Sequence, residues 1–240
     1  DHADGRFFIR TNWKAENFRV MTATLEDSAE KSHWKEVIPH RLDAMVLNLQ
    51  AFEKWLVVGE RKDGLRKVRV MAHDGSMDRY LDASEEASVM WPYTNVSTDT
   101  DSIRYGFSSM VTPNQTWEIN LNTGENTLLK AERVLGGFDS ANYRTGRMMV
   151  EARDGTSVPV SFAYHRDTAL DGSSPALIYS YGSYGSSTDP RFRSSMVSLL
   201  DRGFVYVLAH IRGGQEMGRA WYEDGRLMNK INTFTDFIEV

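Results

Sequence analysis

Apolar runs of strand length recur in this chain every 48 residues, at Phe7-Phe-Ile-Arg-Thr11, Trp55-Leu-Val-Val-Gly59 and Ile103-Arg-Tyr-Gly-Phe107. A second set follows at a spacing of 49, at Phe18-Arg-Val-Met21, Lys67-Val-Arg-Val-Met71 and Thr116-Trp-Glu-Ile-Asn120. Asp74-Gly75 and Thr123-Gly124 are turn signals after the later two members of that set. Met45-Val-Leu-Asn-Leu49 and Val89-Met-Trp-Pro-Tyr93 supply further strands between the cycles. A period of about 40–50 residues with about four short strands is the mark of a propeller blade. Each blade buries its faces against its neighbours, and a closed ring needs at least about four blades. Residues 1–130 hold nearly three cycles. More blades are therefore expected outside this sequence, by truncation, or else another chain completes the ring. Trp55, Trp91 and Trp117 read as blade-core packing rather than a ligand box, and Glu60-Arg-Lys-Asp63 as a solvated hairpin turn leading to Gly64.

The pattern changes after the third cycle. Residues 131–146 contain Gly136-Gly137 and little periodicity, and read as a linker preceded by the last propeller strand. Arg147–Glu151 and Val158–Tyr164 flank Asp154-Gly155, which predicts a hairpin with Pro159 at an edge. Ala176–Ser180 is a short apolar strand ended by a loop containing Gly182 and Gly185. Arg191–Asp201 predicts a helix, with Phe192, Met196, Leu199 and Leu200 on one face and Gly203 as its C′ residue. Phe204–Ala209 is a second strand. Strand, loop, helix and strand form a βαβ unit, hence a parallel sheet. Ligands of such sheets meet the loops at the carboxyl ends of the strands, where Gly182–Gly185 and Gly213-Gly214 fall. Trp221–Gly225 and Leu227-Met228 read as a surface excursion. Asn232 or Thr233 is expected to cap a last helix with Phe234, Phe237 and Ile238 inward. The fold expected is thus a partial β-propeller over 1–144, followed by the N-terminal part of an α/β-hydrolase domain over 145–240. The chain stops inside the last helix, so a C-terminal part is expected to be missing.

Composition narrows the function. The chain has 240 residues, no cysteine and a net charge of −5. Disulfides, thiolate nucleophiles and cysteine-bound zinc are excluded. The charge argues against a nucleic-acid surface. No apolar run approaches the ~18 residues of a membrane span, and the start lacks the features of a signal peptide. A cytoplasmic protein is expected. His2, His33, His40, His73, His165 and His210 are scattered without H-E-x-x-H, so no metal site is expected. The glycines near His210 match neither G-x-G-x-x-G nor a phosphate loop, and no cofactor is expected.

The second half also carries a resemblance. Tyr179-Ser-Tyr-Gly-Ser-Tyr-Gly185, Leu199-Leu-Asp-Arg-Gly-Phe-Val-Tyr206, His210-Ile-Arg-Gly-Gly214, Trp221-Tyr-Glu-Asp-Gly225 and Asn232-Thr-Phe-Thr-Asp-Phe237 occur in that order. The series resembles the oligopeptidase B branch of the prolyl oligopeptidase family of serine peptidases. The resemblance implies a seven-bladed propeller in front of, and partly over, a catalytic α/β-hydrolase domain. It implies cleavage of short peptides after Arg or Lys through an acyl-enzyme, with the propeller limiting substrate size. Such an enzyme needs a nucleophile in G-x-S-x-G, then an acid and a histidine. No G-x-S-x-G occurs here, so the triad is expected beyond Val240 and this chain alone is expected to be inactive. Ser183, His165 and His210 are not candidates for it, and His210 is expected to be structural.

Two residues match family positions. Tyr181 matches the tyrosine whose hydroxyl donates to the oxyanion; a preoriented phenol would stabilise the charge that acyl transfer builds. The bland alternative is a packed tyrosine in a turn. Asp189 matches the first of two carboxylates that favour basic residues beside the cleavage site. The second position holds Arg191, a reversed charge that could pair with Asp189. The alternative for Asp189 is an Asp-Pro turn or a helix N-cap. Short peptides and the remainder of its own chain are the partners implied. Two rival functions stay open, a non-catalytic propeller interaction module and a post-proline oligopeptidase.

Overall fold

The 48-residue repeat folds as three four-stranded antiparallel sheets in a computed structural model that describes residues 1–240. The first blade is β1 (His2–Ala3), β2 (Arg6–Thr11), β3 (Arg19–Thr24) and β4 (Lys35–Ile38). The second is β5 (Ala44–Ala51), β6 (Trp55–Lys62), β7 (Leu65–Ala72) and β8 (Asp78–Tyr80). The third is β9 (Ser88–Pro92), β10 (Ser102–Ser109), β11 (Gln115–Asn120) and β12 (Asn126–Ala131). The three do not close a ring.

Strand β6 explains why the repeat is needed. Successive side chains of a strand point to opposite faces. Trp55 and Val57 pack with Ile103, Tyr105 and Phe107 of the third blade. Leu56 and Val58 pack with Phe8, Val20 and Ile38 of the first. The middle blade is therefore buried on both faces, and each buried Val or Leu contributes about 1.5–3 kcal/mol. Of the three tryptophans expected in blade cores, Trp55 lies in one and Trp117 packs against it. Trp91 does not; its half-buried ring carries the guanidinium of Arg191 at 4.3 Å.

The Glu60–Asp63 patch is not a solvated turn. Only Asp63 and Gly64 turn, both at positive φ (53° and 80°), as a type I′ hairpin requires. Glu60 and Arg61 continue β6 and are buried. Glu60 accepts hydrogen bonds from Tyr80, Arg69 and Arg41, three donors that hold a carboxylate its burial would otherwise penalise.

The second half forms one mixed sheet from β13 (Tyr143–Glu151), β14 (Ser157–His165), β15 (Ala176–Tyr179) and β16 (Val205–Ala209), in the order β13-β14-β16-β15. β15 and β16 are parallel, as the βαβ reading requires. The crossover helix α1 (Ser194–Leu200) begins three residues later than expected. It ends as expected: Gly203 N–H donates to the Leu200 carbonyl and Phe204 N–H to that of Leu199, with Gly203 at φ 82°. That pair of bonds is the Schellman motif.

Three further expectations are corrected. The linker is shorter, because β13 already begins at Tyr143. Pro159 lies on the central strand β14, not at an edge. It is tolerated because the ladder to β16 begins at Val160–Ala209, and Pro159 only accepts there, from His210 N–H at 2.9 Å. Trp221 is not on a surface excursion but is buried on a short helix, α2 (Arg219–Glu223), with its indole donating to the His210 carbonyl.

The blades and the sheet share a core. Met110 and Val111, after β10, pack with Tyr143, Ala163, Leu200, Tyr206 and Leu208. Asn17, buried under the first blade, accepts from Arg219 N–H at 2.7 Å and donates to the carbonyl of Arg41 at 3.0 Å.

Candidate active site

At the carboxyl end of β15 the chain turns sharply through Ser180, Tyr181 and Gly182. Both neighbours of Tyr181 are tied down. Ser180 Oγ donates to the Ala209 carbonyl at the end of β16, at 2.7 Å. The Gly182 carbonyl accepts from Lys230 Nζ at 2.5 Å. Gly182 has φ 58°, and a Cβ there would lie 2.6 Å from Thr233 Cγ2, so only glycine fits. Gly185 N–H closes the loop onto the Gly213 carbonyl at 3.0 Å. The Tyr181 side chain is about half exposed (49%) and lines a cleft of about 480 Å³ with Thr188, Asp189, Arg191 and Phe192. The two residues singled out in the sequence thus share one cleft, at the end of the sheet where such folds bind ligands.

Asp189 is not free. Arg61, from the second blade, donates to it at 2.9 Å; Arg66 and Arg191 stand at 3.7 and 3.8 Å. Three guanidiniums therefore surround one nearly buried carboxylate. The Arg191 partner was legible in the sequence, but Arg61 lies 128 residues away and Arg66 nearly as far. Beside them sits Glu216, which sequence reasoning passed over. Its Oε1 accepts from Thr188 N–H at 2.7 Å, and its Oε2 is buried without a partner. Burial pushes its carboxyl up to about 7.

The loop after β16 is tied to the last helix. Arg212, buried, makes a bidentate pair with the fully buried Asp236 of α3 (Ile231–Glu239), through Nη2 at 2.6 Å and Nε at 2.9 Å. Asp154 at the β13–β14 turn completes it at 2.7 Å. The orientation of α3 follows from this pair. The helix buries Thr233 and Asp236, and leaves Phe234 and Ile238 exposed and Phe237 at 39%, the reverse of the face expected. Nor do Asn232 or Thr233 cap it; the helix starts at Ile231, and Thr233 Oγ1 donates instead to the Arg212 carbonyl at 2.8 Å.

The residues set aside in the sequence have structural partners. His210 is fully buried and shares a 2.8 Å hydrogen bond with the buried Ser161. Burial, then Arg147 and Arg61, push it down to about 3, so it stays neutral. His165 lies 3.6 Å from Asp167 at the end of β14. Ser183 Oγ accepts from Lys230 at 2.7 Å.

Comparison with known proteins agrees with this architecture. Residues 1–132 match the model of the prolyl oligopeptidase N-terminal beta-propeller domain, and residues 190–240 that of the prolyl oligopeptidase family. Dipeptidyl aminopeptidase BI of Pseudoxanthomonas mexicana is 51% identical over 242 residues, covering 100% of this chain and 33% of that protein. Protease 2 of Moraxella lacunata is 35% identical, covering 99% and 34%. Oligopeptidase B from Leishmania major superposes with a TM-score of 0.88 at 33% identity, covering 100% of this chain and 34% of that one. The chain spans about a third of the length of the curated relatives it matches.

Proposed function

Because the chain belongs to the prolyl oligopeptidase family, we propose that it forms the substrate-facing wall of a serine oligopeptidase that cuts short peptides after Arg or Lys. The observation that carries this reading is Tyr181, on a loop anchored at both sides and facing a cleft at the carboxyl end of β15 that it shares with Asp189. An oxyanion donor must be held in place before charge develops, and a phenol so fixed meets that need. The nucleophile, acid and histidine come from elsewhere in the full-length protein, so this chain alone is inactive. A fluorophosphonate that labelled the isolated chain would overturn that last statement.

In the full-length protein, Tyr181→Phe should lower kcat by about 10²–10³ with little change in KM. Unchanged turnover would remove Tyr181 from the chemistry. A panel of peptides with Arg, Lys or Pro before the cut tests the specificity; preference for Pro would move the protein to the post-proline branch.

Asp189 is assigned to substrate binding in the same cleft. With three arginines already around it, a basic side chain beside the cut gains little from it. Asp189→Asn should therefore raise KM by a similar factor for Arg-Arg and Ala-Arg peptides. A loss confined to Arg-Arg would indicate direct pairing.

A second reading is favoured by the 51% identity to a dipeptidyl aminopeptidase, namely removal of dipeptides from free amino termini. Blocking the substrate's amino group abolishes cleavage on that reading and leaves it intact on the first.

A further inference from the structure

The loop that carries Tyr181 is held in place by a residue on a distant element. Lys230, the residue before α3, sends its ammonium into the loop, donating to the Gly182 carbonyl at 2.5 Å and to Ser183 Oγ at 2.7 Å. Its proton is held less tightly than in a free lysine because burial disfavours the charge. On the other side of Tyr181, Ser180 is bonded to the end of β16. The residues on either side of Tyr181 are thus each anchored, Ser180 through its hydroxyl and Gly182 through its carbonyl, which Thr233 Oγ1 also reaches at 3.5 Å, and the ring between them makes no hydrogen bond of its own in this chain.

No carboxylate accepts from Lys230 Nζ; both its acceptors belong to the loop. A lysine whose only role was to solubilise the surface would extend into water. One at an ordinary helix start would meet an unfavourable macrodipole. Holding this position is costly unless the loop requires it.

We propose that Lys230, with Ser180 opposite, is a positioning residue that sets the orientation of the Tyr181 hydroxyl toward the reacting carbonyl. The proposal rests on the oxyanion role given to Tyr181 above. Releasing the Gly182 carbonyl and the Ser183 hydroxyl would let the Gly182–Ser183 peptide rotate and the turn beside Tyr181 shift, and displacement of a donor by about 1 Å is enough to cost catalysis without unfolding anything.

A double-mutant cycle in the full-length protein tests this. Lys230→Met keeps the apolar stem and removes the ammonium. It should lower kcat roughly tenfold with KM changed less than about twofold. In a Tyr181→Phe background the same substitution should change kcat less than about twofold, because the hydroxyl it orients is gone. Lys230→Arg, which keeps a cationic donor, should recover part of the loss. Ser180→Ala should repeat the pattern from the opposite anchor and keeps the test available if Lys230→Met fails to fold. An unchanged kcat in Lys230→Met, or an undiminished tenfold loss in the Tyr181→Phe background, would overturn the positioning role while leaving Tyr181 as donor. If Tyr181→Phe itself turned over normally, the reading beneath the proposal would fail first, and the two failures are told apart by that single variant.

Discussion

The blades and the mixed sheet solve the problem of burial differently. In the blades the apolar side chains of one repeat cluster with those of the next, Val57 with Phe107 and Val58 with Phe8. In the sheet, β15 lies at one edge with Leu177, Ile178 and Tyr179 each more than a third exposed, and α3 turns Phe234 and Ile238 outward. Beside its apolar clusters, this side of the sheet is ordered by polar contacts: Arg212 with Asp236, Thr233 with the Arg212 carbonyl, Lys230 with the Gly182 carbonyl. Apolar packing tolerates small shifts, whereas bidentate and carbonyl contacts fix directions. The region that builds the candidate site is the one held by directional bonds.

Substitutions should separate the two modes. Phe52→Ala in the blade core should cost about 3–5 kcal/mol of stability and leave turnover per folded molecule unchanged, by denaturant melts and active-site titration. A comparable loss of kcat would break the comparison. Arg212→Met strands the buried Asp236 and should cost about 3 kcal/mol, but with a large loss of kcat as well, since the loops beside Tyr181 lose their tie. Arg61→Gln removes the shortest bond from a blade to Asp189 and should cost about 1–2 kcal/mol, with a rise in KM rather than a fall in kcat. The last substitution acts through pH, at Glu216. Its carboxyl is raised from 4.5 to about 7, so the folded state binds the proton more tightly than the unfolded one. The stability this gives is complete below pH 4.5 and is lost as pH rises towards about 7. Glu216→Gln should flatten that decline in melts taken from pH 4.5 to 8; an equal slope in both proteins would show that Glu216 ionises freely.

Much of the fold was legible because the blades write their contacts into a period. The runs at Phe7, Trp55 and Ile103 became the central strands β2, β6 and β10. The βαβ unit and its Gly203 terminus followed from local chemistry. What escaped was charge that turns inward. Glu60 and Arg61 look like any surface pair in sequence, because burial of a charge depends on partners such as Tyr80, Arg69 and Asp189 that no local pattern announces. The same holds for α3. Apolar periodicity pointed Phe234, Phe237 and Ile238 inward, but Asp236 and Thr233 answer the unmet groups of Arg212 and its neighbours, and that demand set the rotation. Tyr181 and Asp189 were placed through the family motif, whereas their shared cleft and the bond from Arg61 to Asp189 depend on tertiary contacts.

Gly182, Gly213 and Gly225 meet backbone to backbone; a Cβ on Gly213 would lie 2.2 Å from the Gly182 carbonyl oxygen, and one on Gly225 2.1 Å from Gly213 N. Three separate segments must all be in place before that contact exists. Such a contact is expected to form late in folding, beyond the transition state. A methyl group at Gly213 should accordingly hasten unfolding and leave the folding rate nearly untouched, so the loop bearing Tyr181 would set how long the assembled state lasts rather than how fast it is reached.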